Sequence, residues 1–415
     1  MTAVPRELDI VVYGATGFVG RLTAAYLAEH LPSGLKVALA GRSRSRLEKV
    51  RAELGGTAAD WPLIEADAGN PESLATLAAA TRVVLTTVGP YAKFGLPLVQ
   101  ACAEAGTDYV DLTGEVLFHR ESIDRFDELA HRTGARIVHS CGFDSIPSDL
   151  GVHALYRAAQ ADDAGELTDT TLVVTAFRGG ISGGTIDSLR TQLDVVRKDP
   201  ALRKVAAQPY SLSPDRGREP QLGRQNDLAL VDGKTIAPEL SGWKAPFVMA
   251  SYNTRIVRRS NALTGWDYGK SFRYREVMDV GTSPVSPVLA GGVAAGLGAL
   301  VLGLSFPPTR FLLDKVLPAP GEGPSEATRD RGFFTIDLYT TTTSGARYTT
   351  RFAAQGDPGY KATSVMLGES ALSLAVGGSA LHAGGGVLTP AVAFGDVLTE
   401  RLRAAGFEIT TRRLP

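Results

Sequence analysis

The chain has only two cysteines in 415 residues, Cys102 and Cys141. That rules out a disulfide framework and a thiolate metal cage, and it suits a reducing cytosol. The six histidines, at 30, 119, 131, 139, 153 and 382, show no metal-ligand spacing, and H-E-x-x-H is missing. No metal site is expected. There is no G-x-S-x-G nucleophile elbow and no Walker lysine after a glycine loop. The Y-x-x-x-K pair of short-chain reductases is not found after the fourth expected strand. A net charge of −1 leaves no global field that would draw in nucleic acid. The N-terminal MTAVPRELD runs directly into a strand, so no signal peptide is expected. No internal repeat is visible.

What the chain does have is concentrated first in residues 9–20, DIVVYGATGFVG. Asp9 to Tyr13 reads as a buried strand and Arg21 to Glu29 as a helix with an apolar face. Between them Gly14, Gly17 and Gly20 fall in G-x-x-G-x-x-G spacing. Strand, glycine turn and helix in that order mean dinucleotide binding. Gly14 allows the tight turn, Gly17 lets the backbone approach a pyrophosphate, and Gly20 lets helix and strand pack closely. The helix N-terminus offers free N–H groups to phosphate. The candidate phosphate-binding residues are Gly14, Thr16, Gly17, Phe18, Val19 and Gly20.

The second strand, Lys36 to Ala40, ends in GRSRSR. An acidic residue there would bind a ribose 2′-hydroxyl, whereas an arginine accommodates a 2′-phosphate. Arg42, Ser43 and Arg46 occupy the place, and the first acid is Glu48. This pattern favours NADPH over NADH. Asp67 ends the third strand, near the expected adenine site or as a helix cap. The fourth strand, Arg82 to Val88, runs into Gly89, Pro90 and Tyr91, beside the expected nicotinamide. A fifth strand (108–112) and a sixth (135–140) follow. The sixth ends at Cys141, Phe143, Asp144 and Ser145, either facing the cofactor or serving as core residue and helix cap.

Alternating strands and helices define an α/β fold with an N-terminal Rossmann-type doubly wound parallel sheet of six strands. It is expected to span 1–150. Residues 151–389 read as a second α+β domain with a mixed or antiparallel sheet. It includes a strand at 170–178, irregular loops over 207–245, and a hairpin at 333–354. The polar, proline-rich loop 317–332 is expected not to pack, and 384–390 to be a flexible turn. A closing helix at 390–406 could pack back on the first domain.

Residues 288–306, VLAGGVAAGLGALVLGLSF, carry no charge. The segment approaches the length of a membrane span and holds Gly292 and Gly296 in G-x-x-x-G spacing. It can be a buried or dimer-facing helix, an apolar surface for membrane or a lipid chain, or a span.

Several stretches carry a family resemblance across essentially the whole chain. They are GATGFVG, AGRS, TTVGPYAKFGLPLVQACAEAGTDYVDLTGE, CGFDSIPSDLG, SGGTIDS, PGEGPSEATRDRGFF and GGVLTPAVAFGDVLTERLRAAGF. Together they resemble the saccharopine dehydrogenase-like oxidoreductases, most of all the trans-acting enoyl reductases of actinobacterial lipid and polyketide assembly. The resemblance implies NADPH-dependent reduction of a carbon–carbon double bond in an acyl or polyketide thioester on a carrier protein. Such a reaction needs a hydride, donors at the thioester oxygen and a proton source. Tyr91, Asp144 and Ser145 are the catalytic candidates by position. Two other readings stand beside it. A C–N oxidoreductase of amino-acid metabolism would need cations such as Arg178, Arg190 and Arg255 for substrate carboxylates. A non-catalytic nucleotide-binding protein would use 288–306 at a lipid surface.

Overall fold

The computed structural model describes residues 6–180, 183–313, 315 and 323–415. Six short apolar strands open the chain. They are β1 (Leu8–Tyr13), β2 (Val37–Gly41), β3 (Leu63–Glu65), β4 (Thr81–Thr86), β5 (Asp108–Val110) and β6 (Arg136–Val138). Six more belong to a second sheet: β7 (Leu167–Arg178), β8 (Val231–Asp232), β9 (Trp243–Pro246), β10 (Arg273–Asp279), β11 (Phe333–Thr342) and β12 (Arg347–Gln355). Then β13 (Gly386–Leu388) returns to the first sheet, and β14 (Glu408–Leu414) closes the second.

The first sheet runs β13-β6-β5-β4-β1-β2-β3 and every pairing in it is parallel. Ile10, Val11 and Val12 are wholly buried, as expected where helices cover both faces. The chain order reverses between β1 and β4, and such a switch point opens the crevice in which ligands sit. The expected number of strands was one short. Residues 384–390, read as a flexible turn, include β13, where Val387 pairs with Ile137. Three residues, the first a glycine and the last followed by Thr389-Pro390, are too few for a periodicity to show.

The second sheet runs β14-β12-β11-β7-β10-β9-β8. Only β7 and β10 pair in parallel, so the sheet is mixed. One apolar cluster extends from Ile10 and Leu85 in the first sheet to Phe334 and Phe352 in the second. Helix Ile146–Ala161 bridges them, with Gly151 so close to the second sheet that a Cβ there would lie 2.7 Å from Leu338. Helix Thr363–Val376 packs against Phe18–His30, where Tyr26 donates to Glu369 at 2.5 Å. The closing segment is two helices, Pro390–Phe394 and Asp396–Ala404, broken at Gly395 (φ 50°).

Helix Ala250–Leu263 had no counterpart in the sequence reading. Its sequence, ASYNTRIVRRSNAL, looks like a solvated stretch, yet Asn253, Arg255, Arg258, Arg259 and Ser260 are all buried. Each guanidinium is pinned: Arg255 to Asp227 (2.9 Å), Arg258 to the Tyr274 carbonyl, Arg259 to the Leu212 and Val387 carbonyls. Burial lowers Arg259 to about 10, although Asp127 opposes the shift. Terminal guanidinium nitrogens on each arginine find partners, while the buried Nε of all three has none among the described residues.

Helix Ser286–Ser305 corrects the buried-helix alternative. Its most apolar 18-residue stretch has a mean hydropathy of 2.0, yet only 11% of that stretch is buried. Val288 is 76% exposed and Leu302 63%. The helix is tied to the body at its ends, by Trp243 N–H to Ser286 Oγ (3.0 Å) and by Arg197 to the Ser305 carbonyl (2.8 Å). Of the polar loop 317–332, residues 317–322 lie outside the described residues, and Glu326–Asp330 forms a short helix.

Candidate functional site

The β1 turn is built for close backbone approach. Gly14 has φ 91°, a left-handed conformation that glycine adopts without strain. Its N–H bonds the Ala40 carbonyl on β2 (2.9 Å), and its carbonyl accepts from Gly17 N–H (2.9 Å). A Cβ on Gly20 would sit 2.1 Å from the Gly14 oxygen, so only glycine fits. Val88 packs over this turn, and Thr16 lies beside Gly41. Gly17 caps helix Phe18–His30 with no side-chain hydrogen bond, and no acid stands in the first turn. The N-terminal N–H groups are therefore left for a ligand, and the dipole there favours an anion.

At the end of β2, Ser43 caps helix Arg44–Leu54 by accepting from Arg46 N–H (3.5 Å). Arg44 is engaged with Glu48 (3.3 Å) and the Leu63 carbonyl. Arg42 and Arg46 are exposed, and neither has an ion pair among the described residues. Burial pushes the Tyr13 hydroxyl up to about 12; the Asp67 charge adds to this and the Arg42 charge opposes it. Asp67 itself accepts from Gly69 N–H (2.8 Å), while Asn70 caps the following helix. An arginine free of carboxylates at this strand end suits a ribose 2′-phosphate. The residues present fit an NADP-type dinucleotide.

Beyond the turn lies a cleft of about 280 Å³ between the loops at the end of the first sheet and helix Gly183–Lys198 with the start of helix Ala250–Leu263. Gly17, Phe18 and Val19 form one wall, and Gly89, Pro90 and Tyr91 after β4 another. Tyr91 begins helix Tyr91–Ala105, but its hydroxyl points inward, donating to the Thr86 carbonyl (3.2 Å) and accepting from Leu112 N–H (3.4 Å). Burial raises its pKa well above the usual value. Buried Glu115 takes the Tyr91 and Ala92 N–H groups (3.0 and 2.8 Å) and the Ser188 hydroxyl (2.7 Å). It thereby satisfies the N-terminus of that helix, a role that a carboxylate fills well.

The four candidates after β6 separate. Asp144 reaches the cleft and has no hydrogen-bond partner among the described residues. Desolvation pushes its carboxyl up to about 6. Ser145 is enclosed, donating to Asn253 Oδ1 (3.2 Å). Cys141 is a core residue with no exposure, its thiol turned to the Val138 carbonyl. Phe143 packs edge-on against Phe334 at 4.8 Å.

The other side of the cleft was missed. Thr185, Ser188 and Gln192 come from helix Gly183–Lys198, and Met249 and Tyr252 from the start of the buried polar helix. The Tyr252 hydroxyl contacts Ser140 Oγ (2.5 Å) and His119 Nδ1 (3.2 Å). Next to it His139 pairs with Asp111 (2.7 Å). The histidines thus form a buried network behind the cleft, and among the described residues no group could hold a metal ion. No lysine, arginine or histidine lines the cleft among the described residues. Arg178 is exposed at the end of β7, and Arg255 is pinned by Asp227.

A parallel Rossmann-type sheet with an open, glycine-lined helix N-terminus, followed by a mixed sheet, defines the class as an NADP-dependent oxidoreductase. Residues 10–138 match the model for the saccharopine dehydrogenase NADP-binding domain. A Mycobacterium tuberculosis protein bearing a provisional trans-acting enoyl reductase name is 56% identical over 419 residues, covering both chains in full. The trans-acting enoyl reductase of Mycobacterium bovis is 51% identical, again over both full lengths. Saccharopine dehydrogenase from Saccharomyces cerevisiae, the L-Glu-forming enzyme, shares the fold with a TM-score of 0.54 at 12% identity. That match covers 98% of this chain and 100% of that one. The chain belongs to the trans-acting enoyl reductase family, within the saccharopine dehydrogenase-like oxidoreductases, and its cofactor is NADPH.

Proposed function

We propose that this protein reduces the carbon–carbon double bond of an acyl or polyketide thioester presented by a carrier protein. The observation that carries the reading is the cleft beyond the glycine turn: two acids without a partner among the described residues, Asp144 and Asp187, of which Asp144 is the one raised by desolvation, apolar walls including Leu112, Val116, Leu189 and Met249, and no cation among the described residues. A C–N oxidoreductase acting on amino acids would need fixed cations for substrate carboxylates.

In this reading Gly14, Gly17 and Gly20 shape the turn, and the N–H groups of Phe18 and Val19 hold phosphate. Arg42, Ser43 and Arg46 receive the 2′-phosphate. NADPH, when bound, supplies the hydride taken up at the β-carbon. Asp144, held partly protonated by its dry surroundings, gives its proton to the α-carbon and is recharged from solvent. Tyr91, Ser145 and Cys141 have hydroxyl or thiol groups committed to interior partners, so their part is to hold the backbone around the cleft. The nucleotide unit comprises 1–150 together with the 363–406 region; 151–362 forms the substrate side.

The exposed apolar helix fits a partner that works on lipid. A helix apolar all round is normally buried in protein or membrane. We include peripheral contact with a lipid surface through residues 285–313 in the proposal.

The test is NADPH oxidation by the purified protein with 2-enoyl pantetheine thioesters of increasing chain length. Consumption that rises with chain length is the expected result. Consumption only with an amino acid plus a 2-oxo acid would overturn the reading.

A further inference from the structure

The loop that precedes β11 lies on the phosphate-binding turn. Phe18 is the first residue of helix Phe18–His30, and its backbone N–H is among those left open for an anion. Gly323 sits so tightly on the Phe18 ring that a Cβ there would lie 2.3 Å from it. Tyr360 closes the ring from another side, edge-on at 5.0 Å. The Arg329 guanidinium lies over the same ring, 5.3 Å from its centroid.

Arg329 is half-buried, and among the described residues no carboxylate lies within ion-pair distance of it. The nearest acids have other hydrogen-bond partners, Asp330 at Lys361 (2.6 Å) and Asp357 at Gly180 N–H (3.2 Å), while the Arg329 charge acts on both beyond ion-pair distance. One guanidinium N–H donates to the Pro324 carbonyl (2.6 Å), which fixes the side chain and leaves the remaining donors of the fork. Arginine on an aromatic face keeps its in-plane donors available while the ring covers its flat side. A cation is thus held, with no carboxylate within ion-pair distance among the described residues, over the first residue of a helix N-terminus that favours anions.

We infer that Arg329 is a cofactor-binding residue, closing over the dinucleotide diphosphate from the second-domain side. The inference rests on the glycine turn being the NADPH site, and it adds a residue from a different part of the chain. Cofactor binding would then tie residues 323–331 to the first sheet, so the nucleotide draws both halves of the molecule together.

The experiment is calorimetric titration of full-length protein with NADPH and with NADH, for wild type, Arg329→Ala, Arg329→Lys and Arg42→Ala. Both nucleotides carry the diphosphate, so Arg329→Ala should weaken each about tenfold and leave their ratio unchanged, the scale of a charge-assisted contact. Arg329→Lys should recover part of the loss. An unchanged thermal melt for the apo variant excludes misfolding as the cause. Wild-type affinity for both nucleotides in Arg329→Ala would overturn the inference. So would a loss confined to NADPH, which would place the residue at the 2′-phosphate. If the wild type binds neither nucleotide, the cofactor site itself is wrong and this residue falls with it.

Discussion

Gly20 in the first helix lies so close to the Gly14 carbonyl that a Cβ would be 2.1 Å from the oxygen. The contact brings helix and strand together at the point where the diphosphate must approach. In Gly20→Ala the carbonyl has to move, because neither partner is a flexible side chain. The expected cost is about 1–3 kcal/mol of stability, the range for overpacking a tight site. Nucleotide affinity should fall with it. A thermal melt with and without NADPH reads both.

Arg42 stands at the end of β2 with no carboxylate paired to it. Arg42→Ala should weaken NADPH about tenfold or more while leaving NADH nearly unchanged, since only NADPH carries the 2′-phosphate. Parallel calorimetric titrations measure the ratio. Equal loss of both nucleotides would move Arg42 out of the ribose site.

Asp144 carries the proton in the proposed reaction. Only its protonated form donates, and its carboxyl sits at about 6 because of desolvation. Turnover should therefore fall as the pH rises through about 6, with single-turnover reduction as the readout. Asp144→Asn should lose about 10²- to 10⁴-fold in rate with nucleotide affinity intact. The stability contribution moves in the same direction with pH. A carboxyl whose pKa is raised by folding contributes fully below its unfolded value, and that contribution is lost as the pH climbs through about 6. At neutral pH the wild type folds with a poorly solvated charge that Asn lacks. Asp144→Asn should then melt higher than wild type at neutral pH, with the gap closing under acid.

Helix Ser286–Ser305 presents Val288 and Leu302 to solvent. Flotation with anionic phospholipid vesicles should carry the wild type upward, and Val288→Lys/Leu302→Lys should stay with the soluble fraction. Neither side chain lines the cleft, so reduction of a short, soluble enoyl thioester should be unchanged. A wild type that stays down and sediments as a dimer would assign the apolar face to a second copy of the chain.

Local chemistry made the first half of the molecule legible. Residues 9–20 carry strand, glycine turn and helix in twelve consecutive positions, and the GRSRSR run follows β2 directly. There each function depends on neighbours in sequence, so composition and spacing are enough to point to it. The 288–306 segment was equally plain as an apolar helix, because hydropathy is a property of the run itself.

What only the tertiary structure decided depends on contacts between distant parts. Ser140 and Tyr252 are 112 residues apart, and the wall that Tyr252 supplies comes from a helix whose arginines look solvated until Asp227 and backbone carbonyls are placed against them. Cys141 and Asp144 sit three residues apart after one strand, and only packing sends the thiol into the core and leaves the carboxyl in the cleft. The three residues of β13 become a strand through pairing with β6, since so short a run has no periodicity of its own. Burial is set by what the rest of the chain brings to a side chain. Whether the same polar residue becomes a clip, a wall or a proton source is therefore settled by the fold.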